Sequence, residues 1–372
     1  MNPIDLHIVS FDVPSPPDYG GVIDVYYKLR ALHQLGVKIH LHCFQYGRSA
    51  SEKLNEVCAK VSYYPRNTSP FALLSSLPFI VATRKSAALL QALSSDSAPV
   101  LFEGLHSCAF LSSDELKGKL KIVRTHNIEH DYYSGLARVE RTFLRRTYFE
   151  REAAKLKKFE AVLKNAQHIL AISPTDAEQL SIRYKGVEHV MAFHSNESVN
   201  APEGSGEFAL YHGNLEVGEN NQAALFLVND VFSKLNYRLV IAGNKPSDEL
   251  RSAAAQFRNV EIKAGISTAE IDRLIHTAHI NVLPTFQATG IKLKLLAALF
   301  NGRHCVVNSP MVANTGVESA CIIADSAEAM RTAIEKTAAV PFQSTDIEKR
   351  KVVLGERFSN QKNAEKILKL LR

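Results

Sequence analysis

The sequence predicts an α/β protein built from two doubly wound parallel-sheet domains that face each other across a cleft. Three observations predict this fold. Short apolar runs alternate with helical patterns along the chain, the polar stretch 194–207 interrupts that alternation once, and 372 residues suit two domains of about 100 to 200 residues each. Strands that alternate with helices form right-handed crossovers, and therefore a parallel sheet covered on both faces.

The first domain is predicted to span residues 1–193. Its strand-like runs are, in chain order, IDLHIVSF, VKIHLHCF, PVLFEG, KIVRTHN and HILAIS. A helix is expected over about 22–35, and one extended helix over 138–165. The stretch SPTDAEQL predicts another helix with Ser173 as its N-cap and Pro174 at its first position.

A second domain is predicted over residues 208–357. The stretch 194–207 is rich in Gly, Pro, Ser and Asn, which is typical of a linker. The strand-like runs then resume as FALYHG, YRLVIAG, VEIKAG, INVLP, HCVVNS and CIIAD. Ligands of such sheets bind beyond the carboxyl ends of the strands, so we expect the chemistry in the loops that follow them.

The bulk composition excludes several classes of protein. Five scattered cysteines argue against a disulfide framework or a zinc cluster, and neither a leader sequence nor a long apolar run is recognisable, so we expect a cytoplasmic protein. The net charge of +6 includes a basic segment, 138–158, with eight Arg or Lys against three Glu. This segment is either a solvated helix or a surface for anionic lipid headgroups at the inner face of a membrane. It carries no nucleic-acid recognition motif.

Two stretches of the first domain are candidate site segments. Gly20 and Gly21 open a helix after the first strand, where they would let a phosphate or sugar approach the backbone, or would serve only a tight turn. His126 ends a strand in RTHNIEHDYY, and Asn127 and Glu129 follow it. His126 is the candidate catalytic residue, or else a histidine that merely caps or packs, and the spacing is not that of a metal site.

Two stretches of the second domain are candidate anion sites. HGNLEVGEN follows a strand and opens a helix, so the backbone at Gly213 and Asn214 would offer N–H groups to a ligand. TGIKLK combines a predicted cap at Thr289, a close backbone approach at Gly290, and two lysines at a helix start. Lys292 is expected to reach the ligand, whereas Lys294, two helical residues on, is expected to face solvent.

In their order along the chain, these stretches resemble the retaining, nucleotide-sugar-dependent glycosyltransferases of the GT-B fold, specifically the group 1 or family 4 class. The resemblance covers nearly the whole chain. It depends on the Gly-Gly loop, THN, AQHILAISPTD, LYHGNLEVGENNQAA, YRLVIAG and INVLPTFQATGIKLKLLAALFNGRHCVVNS.

The resemblance implies two Rossmann-like domains, with the nucleotide held mainly by the second and a glycan or lipid-linked acceptor held mainly by the first. It implies that His126 touches the donor sugar near the reacting carbon, that Gly20 and Gly21 border the donor diphosphate, and that the turn 290–294 meets the phosphates. A C-terminal helix, 358–372, would return to the first domain. The nucleotide sugar is a substrate, no cofactor is implied, and no metal is required. The chain also has no Asp-x-Asp pair.

Two departures from the family pattern concern donor binding. Glu219 stands where family members usually carry a basic residue, and Ala297 stands where a glutamate usually binds the ribose. The sequence is compatible with a donor site rebuilt around Lys245 and Lys292, and with a partner or glycan-binding subunit that no longer transfers sugar. A nucleotide-sugar epimerase of similar fold is a third alternative.

Overall fold

The computed structural model describes residues 4–140, 142–286, 292–355 and 357–372. The chain divides into two compact units, residues 1–195 with 360–372, and residues 196–359. Of the predicted linker, residues 194 and 195 belong to the first unit and 196–207 to the second.

The first unit contains a seven-stranded sheet in the order β3-β2-β1-β4-β5-β6-β7, with every pair parallel. Its elements are β1 (Asp5–Ser10), α1 (Gly20–Gln34), β2 (Lys38–Gln45), β3 (Lys60–Pro65), α2 (Phe79–Ala82), α3 (Ala87–Ser94), β4 (Val100–Glu103), β5 (Lys121–Thr125), α4 (Glu129–Val139), α5 (Phe143–Phe159), β6 (His168–Ala171), α6 (Pro174–Ser181) and β7 (Val187–His189).

The sheet of the first unit is buried on both faces, as the apolar strand sequences predict. On β1, Leu6 and Ile8 join one apolar cluster, and Val9 joins the other. The predicted cap of α6 is confirmed, because Ser173 accepts a hydrogen bond from the backbone N–H of Asp176.

The predicted extended helix over 138–165 is wrong. The structure has the two helices α4 and α5, followed by a 3₁₀ turn at Glu160–Asn165. Glu140 and Thr142 adopt extended backbone conformations, and the Glu140 carboxylate accepts the Thr142 N–H at 2.8 Å. This local hydrogen bond competes with helix continuation, which helical periodicity alone does not reveal.

The second unit contains a six-stranded sheet in the order β10-β9-β8-β11-β12-β13, again with every pair parallel. Its elements are β8 (Ala209–His212), α7 (Gly218–Phe226), β9 (Leu239–Ala242), α8 (Asp248–Ala254), β10 (Val260–Lys263), α9 (Thr268–Thr277), β11 (Ile280–Leu283), α10 (Leu293–Asn301), β12 (His304–Val307), α11 (Ser309–Val312), β13 (Ile322–Ile323), α12 (Ala327–Ala338) and α13 (Ser344–Gly355). The two sheets confirm an α/β protein with two Rossmann-like domains.

The last helix, α14 (Asn360–Leu370), belongs to the first unit. Its residues Ala364 and Ile367 are buried in the apolar cluster that also contains Leu29 and Leu32 of α1. Among the described residues, no helix is both long and apolar enough to cross a membrane.

Candidate functional site

In both units, the candidate residues gather where the strand order reverses direction. The first sheet reverses between β1 and β4, and the second between β8 and β11. At such a point the loops beyond two adjacent strands run in opposite directions and leave a crevice in which ligands bind. The two sites are described one unit at a time.

The start of α1 is shaped by Gly21. A Cβ atom at residue 21 would lie 2.7 Å from Cζ of Phe11, whereas a Cβ at Gly20 would meet nothing within 4 Å. Gly21 therefore allows the Phe11 ring to lie against the helix start. Phe11 in turn meets the ring of His126 edge-on, with a centroid distance of 5.4 Å. Of the two predicted glycines, Gly21 thus has a packing role that connects it with His126.

His126 lies just beyond β5 and is held by a carboxylate from β4. Its Nε2 lies 3.1 Å from Oε2 of Glu103 and 4.0 Å from Oδ2 of Asp24. A carboxylate only accepts, so Nε2–H donates to Glu103, and Nδ1 is the ring nitrogen through which His126 can meet a ligand.

A buried network of ion pairs surrounds Glu103. Lys28 of α1 places its Nζ 2.8 Å from Asp24 and 2.8 Å from Glu103, and Arg124 contacts Asp24 through two nitrogens at 2.9 and 3.2 Å. Burial by itself would raise the pKa of Asp24, but the Arg124 guanidinium and the Lys28 ammonium outweigh it and lower that pKa. Asp24 also accepts the backbone N–H of Phe193. The network ties α1, β4 and β5 to the chain beyond β7.

Three groups of this network have the composition of a metal site, because ligand atoms of Asp24, Glu103 and His126 lie within 4.8 Å of one another. However, the Lys28 ammonium touches both carboxylates. A divalent cation would have to bind against that positive charge, so the donor set suits ion pairing better than metal binding.

Sequence reasoning did not identify Lys28, Asp24 or Glu103 as part of the site. Two signals were available. Asp24 and Lys28 stand four residues apart on the apolar stripe of α1, where charged residues are rare unless they are paired. Glu103 directly ends the apolar strand sequence VLFE.

Another buried carboxyl group, that of Glu129, lies in the first turn of α4. Its side chain is almost completely buried, and burial raises its pKa to about 8. Its Oε1 is 3.8 Å from Nδ1 of His106, a residue that the sequence did not point out. His106 also packs against Phe11, with ring centroids 5.3 Å apart. The structure thus brings His126 and His106 next to Phe11 and Glu129 next to His106, whereas Asn127 is exposed.

In the second unit, the loop after β8 is closely packed. The backbone carbonyl of Asn214 accepts from Nδ2 of Asn220 at 2.9 Å, and a Cβ at Gly213 would lie 3.3 Å from Cγ of Asn220. A Cβ at Gly243, in the loop after β9, would lie 1.9 Å from the Gly213 carbonyl oxygen. Glycines at both positions let the two loops meet.

Both lysines of the KLK stretch contact the first turn of α7, directly after this loop. Lys292 is the N-cap of α10, and its Nζ lies 3.3 Å from Oε1 of Glu219. Lys294 donates to Oδ1 of Asn220 at 2.8 Å and to the Tyr211 hydroxyl at 3.2 Å, and its Nζ lies over the Tyr211 ring. The prediction that Lys294 faces solvent is therefore wrong. Lys292 has an extended backbone outside the helix, so helical spacing does not separate the two side chains.

The Lys294 ammonium is affected by burial. Burial lowers its pKa to about 8 and Lys292 adds to that effect, although Glu219 acts in the opposite direction. Glu219 also contacts the hydroxyl of Thr285, beyond β11. Glu219 therefore places a negative charge where the family pattern has a basic residue, and Lys292 forms an ion pair with Glu219.

The remaining predictions for the second unit have different outcomes. Lys245 is exposed and forms an ion pair of 2.8 Å with Glu216 in the loop after β8. Thr289 and Gly290 lie outside the described residues, and Lys292 occupies the N-cap position of α10 without a side-chain cap hydrogen bond. Ala297 packs against an apolar cluster that contains Leu210 and Val240.

These two units together define the class of protein by fold. Two parallel, doubly wound sheets are the two Rossmann-like domains of which a GT-B fold consists, and the comparisons agree. The lipopolysaccharide outer core galactosyltransferase WaaB is 14% identical with a TM-score of 0.66, covering 99% of both chains. Alr3699/HepE of Anabaena, solved with UDP and glucose, is 10% identical with a TM-score of 0.66 over 99% of both chains. A glycosyltransferase from Rickettsia africae is 10% identical with a TM-score of 0.67, and the match covers 100% of this chain and 98% of that protein.

The sequence itself is similar to that of a protein from a region named cps. An uncharacterized 44.6 kDa protein of the cps region of Klebsiella pneumoniae is 25% identical over 336 residues, which is 83% of this chain and 84% of the relative. No protein-family model matches the chain.

Proposed function

We propose that the chain is a glycosyltransferase of the retaining group 1 or family 4 class. It moves a hexosyl unit from a nucleotide sugar to a glycan or lipid-linked acceptor in the synthesis of a cell-surface polysaccharide or glycoconjugate. The nucleotide sugar is a substrate, and neither a cofactor nor a metal takes part.

One observation carries the proposal: the two lysines, Lys292 and Lys294, converge on the first turn of α7, which follows β8 at the switch point of the second sheet. A diphosphate brings two negative charges to this position. Ammonium groups that are partly withdrawn from water bind such charges more strongly than exposed lysines do. The Gly213 N–H donates to the Ala242 carbonyl at 3.1 Å, so it is the start of α10 that adds N–H donors at this place.

The reaction needs few groups. The bond between the anomeric carbon and the diphosphate oxygen breaks, and the electron pair leaves with the nucleoside diphosphate. A bond forms between that carbon and an acceptor hydroxyl oxygen on the same face, and the hydroxyl proton passes to the departing phosphate. Lys292 and Lys294 stabilise the charge that grows on the leaving group. In the first unit, His126 contacts the donor sugar through Nδ1.

A second candidate function is a partner or glycan-binding subunit that does not transfer sugar. Glu219 favours it, because the carboxylate occupies Lys292 and repels an approaching phosphate. The transferase is the better supported of the two. Lys294 donates to the neutral groups of Asn220 and Tyr211. These partners do not neutralise its positive charge, which can therefore pair with a ligand.

We also propose that the protein acts in the cytoplasm, docked peripherally on the inner face of a membrane. The segment 138–158 supports this part of the proposal. Phe143 and Leu144 at the start of α5 are 77% and 78% exposed, next to the exposed Arg145 and Arg146. Apolar side chains beside cations suit an anionic bilayer. Co-sedimentation with anionic vesicles at low salt tests it, and a protein that stays in the supernatant contradicts it.

Donor turnover tests the proposed activity. The protein is incubated with uridine and guanosine nucleotide sugars and candidate glycans in the presence of EDTA, and NMR follows the anomeric protons. The proposal expects release of one nucleoside diphosphate and a product with the donor's anomeric configuration. Binding of a glycan without any donor consumption would support the non-catalytic candidate instead. A free epimerised sugar would indicate an epimerase.

A further inference from the structure

A groove of about 430 Å³ lies between α4 and α5 of the first unit, outside the His126 site. The two helices form a hairpin. The short connection 140–142 joins them at one end, and a hydrogen bond of 3.0 Å between His130 and Glu160 joins them at the other. The small side chains Ala137, Ala153 and Ala154 leave room between the helices.

The groove is long, not round. Arg146 and Lys157 both line it and stand eleven residues apart on α5, which corresponds to about 16 Å at 1.5 Å per residue. In an antiparallel hairpin, Arg138 at the end of α4 lies near Arg146, at the end opposite Lys157. An elongated ligand matches this shape better than a single inorganic anion does.

The charges along the groove are of both signs. Arg146 is paired with Glu150 at 3.0 Å, and Asp131 lies 3.5 Å from His130. Arg138 and Lys157 also line the groove, and within the described parts of the chain no carboxylate pairs with either of them. Carboxylates and cations along one apolar floor suit a chain of sugar hydroxyls. Two cations that no carboxylate of the described residues neutralises suit acidic groups on that chain.

We propose that the groove between α4 and α5 binds an acidic oligosaccharide, namely the part of the acceptor glycan that lies away from the reacting hydroxyl. Arg138 and Lys157 pair with its carboxylate groups, and Asp131 and Glu150 accept from its hydroxyls. The identification of this oligosaccharide as the acceptor rests on the proposed function, whereas the binding site itself is defined by the groove.

Direct binding to the full-length protein tests the groove without any turnover. The probes are a hyaluronan tetrasaccharide, which is acidic, and cellotetraose, which is neutral and has the same number of rings. Isothermal titration should give at least tenfold tighter binding of the acidic probe. The double variant Arg138→Gln and Lys157→Gln should lose that advantage. Lys158→Gln removes a neighbouring exposed charge that does not line the groove, and should bind as the unchanged protein does.

Three results would overturn the assignment: no binding of either probe at millimolar concentration, an equal loss in the Lys158 control, or displacement of the bound acidic tetrasaccharide by an equal concentration of inorganic pyrophosphate. Titration of a nucleoside diphosphate into the same double variant keeps the two proposals apart. If the unchanged protein binds the nucleoside diphosphate but not the acidic tetrasaccharide, this inference alone is contradicted. If the unchanged protein does not bind the nucleoside diphosphate, the proposed function is contradicted.

Discussion

Replacement of Lys28 by methionine measures how much the buried network of the first unit depends on its central cation. Lys28 makes charge-assisted hydrogen bonds to Asp24 and Glu103, and all three side chains are at most 1% exposed. Such bonds contribute about 1.5–3 kcal/mol each, so their sum is about 3–6 kcal/mol. After the substitution Asp24 keeps Arg124 and Glu103 keeps His126 among the described residues, which limits the loss. We therefore expect the free energy of unfolding to fall by about 3–5 kcal/mol.

Urea unfolding followed by far-UV circular dichroism measures this loss, since the chain has no tryptophan to report by fluorescence. Lys38→Met is the matched control. Lys38 pairs with Asp5 at 3.3 Å, but its side chain is 50% exposed, so the loss should stay below about 1 kcal/mol. If Lys28→Met lost no more than the control, the buried network would not stabilise the unit and the reasoning would be refuted.

Three further predictions concern packing and titration. Gly21→Ala should destabilise the protein by about 1–3 kcal/mol in urea unfolding because its Cβ meets Phe11, whereas Gly20→Ala, with open space, should change stability by less than about 1 kcal/mol. Burial lowers the pKa of His42 to about 3, so below about pH 6.5 the unfolded chain binds more protons. Stability should therefore fall by up to about 1.4 kcal/mol per pH unit, and His42→Gln should flatten that slope. Because burial lowers the pKa of Lys294 to about 8, nucleoside diphosphate binding measured by titration should weaken about tenfold between pH 7 and 9.5, and Lys294→Arg should remove that dependence.

The alternation of strands and helices was visible in the sequence because each strand of a parallel sheet needs an apolar run. The same local patterns predicted the cap of α6 at Ser173. The break between α4 and α5 was missed, because it coincides with a local hydrogen bond from the Thr142 N–H to the Glu140 carboxylate, which helical periodicity does not reveal.

The candidate sites were predicted less completely than the fold. His126 and Gly213 follow strands directly, so their place at a sheet edge could be read from the chain. Lys28 and Glu103 are 75 residues apart, and no local pattern joins them. The position of Lys294 depended on where α10 begins, which is the least predictable part of a helix.

The central claim is that the lysine pair of the second unit holds the diphosphate of a nucleotide-sugar donor. A thermal-shift panel of nucleoside diphosphates and nucleotide sugars tests it most directly, on the unchanged protein, on Lys292→Ala and on Lys349→Ala, which removes an exposed lysine of α13. At a hundredfold excess over Kd, a ligand stabilises by about 2.7 kcal/mol, which corresponds to a rise in Tm of several degrees. The account predicts that rise with one nucleotide, its loss in Lys292→Ala and its persistence in Lys349→Ala. No rise with any nucleotide at millimolar concentration, or an equal rise in all three proteins, would contradict it.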